Sequence, residues 1–112
     1  MAAFRQFEIE AIRILTAGTL SPETLELVEQ APNLNDYTYT GCGYFATLRH
    51  ELLPSRRIVC HAQRVVGECD GVKAGFIVFL ENHELVLECH DWGEKHVPEN
   101  FREQKVRVVV ET

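Results

Sequence analysis

The chain has 112 residues, 46% of them hydrophobic and 25% charged. That composition excludes a disordered segment, which lacks the apolar surface to offset chain entropy, and the length is that of a single globular domain, residues 1–112, able to bury a core. Seventeen acidic against eleven basic residues leave a formal net charge of −6, which argues against binding a nucleic-acid backbone and favours a basic partner.

No stretch approaches the roughly eighteen apolar residues of a membrane span. Glu8 and Glu10 interrupt the N-terminal region where a secretory signal would need an unbroken apolar run. The four cysteines (Cys42, Cys60, Cys69 and Cys89) are therefore read as reduced thiols in a cytoplasmic protein. Charge is uneven along the chain. The middle third, with Arg49, Arg56, Arg57 and Arg64, is locally basic, whereas residues 67–112 are rich in acids.

Residues 4–16 predict a helix, with Phe4, Phe7, Ala11, Ile14 and Leu15 at helical spacing and Arg5, Glu8 and Arg13 elsewhere. Gly18 suits its stop. A second helix starts at Pro22, capped by Ser21 and stapled by Leu20 and Leu25, and runs through about Gln30. Residues 33–36 read as loop. Gly41 and Gly43, flanking Cys42, predict a bulge, a tight bend or close approach of another group to the backbone.

Strands are expected at residues 44–49, 57–66, 73–80, 85–89 and 105–111, the second alternating imperfectly. Asp70-Gly71 is a turn dipeptide. The central pair is GFIVFLENHELVLEC, residues 75–89. It reads as an antiparallel hairpin with residues 81–84 as its loop. Phe76, Val78 and Leu80 share one face, and Ile77 and Phe79 the other. Two apolar faces predict a strand covered on both sides. Residues 98–101 predict a single helical turn with Phe101 plugging the core. The fold class is α+β, with two N-terminal helices packed on one face of a mostly antiparallel sheet of about five strands. If the valine-rich strand at residues 106–110 lies at an edge, it can pair across a homodimer.

Chemistry-bearing residues are sparse. Cys60-His61 and Cys89-His90 are zinc-ligand types, but neighbours on a strand point to opposite faces, so no metal and no cofactor are expected. His61, Glu88, His90 and Cys42 form the candidate set for a small hydrolytic enzyme: imidazole and carboxylate for proton transfer, and a thiol between glycines as nucleophile. Glu84, Glu88 and His90 should project from one strand face, with Glu88 and His90 about 6–7 Å apart. Arg49, Arg56, Arg57 and Arg64 with Tyr37, Tyr39 and Tyr44 would make a basic aromatic patch able to hold single-stranded nucleic acid; the acidic balance argues against it.

The leading expectation is protein binding without catalysis. Glu84, Glu88, Asp91 and Glu94 surround Trp92, and a tryptophan inside an acidic rim suits a basic partner. In size and charge the chain resembles the small acidic proteins that neutralise basic nucleases, such as bacterial toxin-immunity proteins. The likeness is one of physical character and implies an inhibitor. A structural or small-ligand-binding domain is the further alternative, marked by a deep apolar pocket.

Overall fold

The computed structural model describes residues 3–111. Two helices come first, α1 (Gln6–Leu15) and α2 (Pro22–Gln30). The strands β1 (Asp36–Tyr39), β2 (Tyr44–Arg49), β3 (Ile58–Cys60), β4 (Arg64–Cys69), β5 (Val72–Glu81), β6 (Glu84–Asp91) and β7 (Arg107–Glu111) follow. One 3-10 turn at Phe101–Glu103 lies between β6 and β7. Among the described residues no helix is long and apolar enough to cross a membrane.

The strands form one sheet in the order β1-β2-β6-β5-β4-β7, with β3 also on β5. Every pairing is antiparallel. The sheet has seven strands and not five, for two reasons. Residues 36–39, for which no strand is expected from the sequence, form the edge strand β1, whose largely exposed residues carry no alternating apolar signal. The segment read as one strand at residues 57–66 is two. Cys60 pairs with Val78 and Val66 with Gly75, so residues 61–65 stand opposite residues 76–77 and leave the β5 ladder, Arg64 and Val65 pairing instead with Glu111 and Val110 of β7.

The β5–β6 loop is shorter than expected. Glu81 pairs with Glu84, leaving Asn82 and His83 as a two-residue turn with φ of 52° and 62°. Positive φ at both central positions is the type I′ geometry that matches strand twist. Asp70 and Gly71 repeat it between β4 and β5, with φ of 50° and 81°.

Both helices cover the same face of the sheet. Phe7, Ile9, Ala11, Ile12 and Leu15 of α1 are buried there, with Phe76, Val78 and Leu80 of β5 and Leu85, Leu87 and Cys89 of β6. Ile12 takes the buried position expected for Ile14, which is half-buried. Ser21 caps α2, its hydroxyl accepting the Thr24 N–H at 3.2 Å. Phe101 fills the end of this layer, edge-on to Phe7; its N–H donates to the Pro98 carbonyl at 3.0 Å, closing the turn expected at residues 98–101, and the 3-10 turn Phe101–Glu103 continues from it.

Among the described residues no helix lies on the other face. Ile77 and Phe79 are half-buried, so β5 is covered on one side only, against expectation. Two apolar faces in a central strand required only that neighbouring strands shield the second face laterally; they did not require a second layer.

Candidate functional site

The register fixes what stands on the uncovered face, because paired residues of adjacent strands share a face. Three rows cross it. Val59, Phe79, Val86 and Thr47 form one row. Ile77, Glu88 and Phe45 form the next. Val109, Val66, Gly75 and His90 form the third. Phe45 is 38% exposed and Trp92, beyond the last row, 41%.

Gly75 shapes the middle of this surface. A Cβ there would lie 2.5 Å from His90 Nε2 and 2.9 Å from Trp92 Cε3, so both rings lie over the bare backbone. A glycine in a strand interior marks such a close approach, and its place just before the apolar run was the available sequence signal. The Trp92 indole N–H donates to Glu111 Oε1 at 3.1 Å, and its backbone N–H donates to the Lys73 carbonyl. The segment 61–65 forms a wall opposite, leaving an open cleft of about 130 Å³ lined by residues including His61, Arg64, Gly75, His90 and Trp92.

The acidic rim expected around Trp92 is not assembled as a unit. Glu84 is taken by Arg49, whose guanidinium lies 2.5 Å from its carboxylate. Asp91 belongs to the chain's own architecture: it accepts the Val97 N–H at 2.9 Å and contacts His96 Nδ1 at 2.5 Å. Burial opposes its ionisation, but these two hydrogen bonds outweigh it and hold the carboxyl below the usual range. Glu94 is exposed in the loop after Trp92. Glu88 does remain on the face between Phe45 and Ile77, and among the described residues no lysine or arginine pairs with it. Its Oε2 lies 2.9 Å from His90 Nδ1, out of line with the ring nitrogen's hydrogen-bonding direction, so that nitrogen is buried without a hydrogen-bond partner.

Of the hydrolytic set, His61 and His90 line the one cleft, and Glu88 touches His90. Cys42 is exposed in the β1–β2 turn, near Thr40, and does not line the cleft. Gly41 makes that turn with φ of 97°, and Gly43 admits the Cys89 carbonyl oxygen where a Cβ would collide. Among the described residues no group of three or more His, Cys, Asp or Glu side chains could hold a metal ion.

The tyrosines and arginines of the basic aromatic patch are separated. Tyr37 and Tyr44 stand on the helix-covered face, and Arg49 on the open one. The Tyr39 hydroxyl donates to the Val97 carbonyl at 2.7 Å. Tyr44 donates to Glu8 Oε2 at 2.5 Å; burial first, then the Glu8 charge, raise its phenol well above the ordinary range. The same two causes raise the Cys89 thiol.

Glu8 was expected on an outer helix position and is instead fully buried. Its carboxylate takes two hydrogen bonds from Arg102 and one from the Arg5 N–H. Its place at the third position of α1 is the sequence signal for the last of these; nothing local announces Arg102. No protein-family model, no curated protein and no solved structure matches this chain.

Proposed function

We propose that this chain is a protein-binding domain whose docking surface is the open face of the sheet, with a basic protein as partner and inhibition as the consequence of docking. The observation that carries this reading is Glu88: a carboxylate set between Phe45 and Ile77, with no lysine or arginine partner of its own among the described residues. An incoming arginine would satisfy it with two parallel charge-assisted hydrogen bonds. Trp92 supplies the large, partly exposed aromatic surface on which interface energy concentrates. Ion pairs at the margins, Arg49–Glu84 and Arg57–Glu81, form a polar rim. The net charge of −6 accelerates encounter with a basic protein.

The test is capture from native lysate at low and moderate salt, followed by affinity measurements on the purified partner with Trp92→Ala, Phe45→Ala and Glu88→Gln. A basic partner whose affinity falls about tenfold or more in each folded variant supports this surface, since hot-spot truncations cost upwards of about 1–2 kcal/mol. Unchanged affinity in all three overturns it.

A second reading follows from the cleft, where His61 and His90 face the same space above Gly75. This arrangement would suit a small polar ligand or hydrolytic proton transfer. Turnover of a model ester that disappears in both His61→Gln and His90→Gln supports it, and rates equal to wild type count against it.

A further inference from the structure

β7 closes one end of the strand order and pairs on one side only, with β4. No other described backbone group bonds to it. Its five residues are Arg107-Val108-Val109-Val110-Glu111, opposite charges at the ends of three valines. An open edge of β-branched residues is a template for another strand, and this one matches itself.

We infer that β7 pairs with β7 of a second copy of this chain, antiparallel about a two-fold axis at Val109. In that register each Arg107 stands directly opposite Glu111 of the second copy, so the pair is made twice. Val108 stands opposite Val110, which is 40% exposed in the single chain. Val109 meets its own equivalent. This is the isologous geometry of two-fold dimers, in which one surface serves both partners.

The alternatives are poorer. Parallel pairing in register sets arginine beside arginine and glutamate beside glutamate, and like charges directly opposite repel. An antiparallel slip of one residue leaves neither charge opposite its complement and sets the open face of one copy beside the helix-covered face of the other. The opposite edge, Asp36-Tyr37-Thr38-Tyr39, has no such self-complementarity.

Both charged groups are available. Among the described residues Arg107 is held only by a 3.6 Å contact to Glu68, and it is largely exposed. Glu111 uses Oε1 to accept the Trp92 indole N–H, leaving its second oxygen for the incoming arginine. Because Trp92 rests on Glu111, the dimer brings the two tryptophans towards its axis and joins the two open faces into one surface. Edge pairing holds whether or not that face binds a basic protein, so the two readings fail independently.

The experiment is sedimentation velocity from low micromolar to near-millimolar protein, with far-UV circular dichroism on every variant. The wild-type mass should rise with concentration from 12.8 kDa towards twice that value. Arg107→Glu and Glu111→Arg should each weaken association about tenfold or more, because the two-fold axis replaces two attractive pairs with two repulsive ones. The double variant R107E/E111R restores opposite charges across the axis and should regain the dimer. Val110→Lys, at an exposed site, should dissociate it without unfolding the chain. A wild type that stays monomeric throughout overturns the inference. So does a dimer indifferent to both charge reversals and to Val110→Lys, or a folded double variant that does not recover.

Discussion

Arg102 and Glu8, separated by 94 positions in the chain, meet in a two-pronged ion pair, with Nε and Nη2 each donating at 2.8 Å. The glutamate side chain is fully buried and the arginine 12% exposed. Nη2 also donates to the Ala3 carbonyl, and the guanidinium lies 5.3 Å from the Tyr37 ring centre. The pair ties α1 to the segment before β7 and supplies the acceptor for Tyr44. Removing either member leaves a buried charge without its partner, at a cost of about 3–5 kcal/mol. Glu8→Gln and Arg102→Met should each show that loss in urea unfolding. The double variant Glu8→Gln/Arg102→Met should lose less than the sum, because residues in one network are not additive. Additive losses would show that the two act separately.

Gly43 and Gly75 are both closely approached, but by different kinds of atom. At Gly43 the obstacle is the β6 backbone itself; at Gly75 it is the rings of His90 and Trp92. Rings rotate and a paired backbone does not. Gly75→Ala should therefore cost about 1–3 kcal/mol, typical of overpacking, and shift Trp92 fluorescence. Gly43→Ala should lower the melting temperature further and leave the emission maximum of the folded protein nearly unchanged. Equal melting temperatures would contradict the distinction.

Asp91 contributes to the acid limb of stability. Its folded pKa is held below the usual carboxylate range by the hydrogen bonds from His96 and Val97, which prevail over burial. A group depressed on folding stabilises above its unfolded pKa, about 3.9 for aspartate, and loses that contribution as pH falls through the folded value. Glu29, lowered chiefly by its hydrogen bond from Arg13, acts in the same sense. Asp91→Asn should flatten the decline of melting temperature over this acid window, while lowering stability at neutral pH. An acid limb as steep as wild type would show that Asp91 does not contribute.

The helices, the β5–β6 hairpin and the Asp70-Gly71 turn were legible because residues a few positions apart decide them: a cap, a staple, a period of two. β1 escaped notice because an exposed edge strand needs no apolar alternation. Glu88 and Trp92 were legible as candidates. That Glu84 answers Arg49 and Asp91 answers Val97 was not, since each pairing depends on which strand or loop comes alongside.

The sequence by itself determined the two helices, the central hairpin and its turns, the acidic balance and the alternation that divides the central strands between two faces. Only the tertiary structure decided that one of those faces has no helix over it among the described residues, that His61 and His90 line one cleft, and that Glu8 is buried against Arg102. The physical reason is range. Backbone preference and side-chain alternation act between neighbours in the chain, whereas burial and ion pairing depend on residues brought together across its whole length.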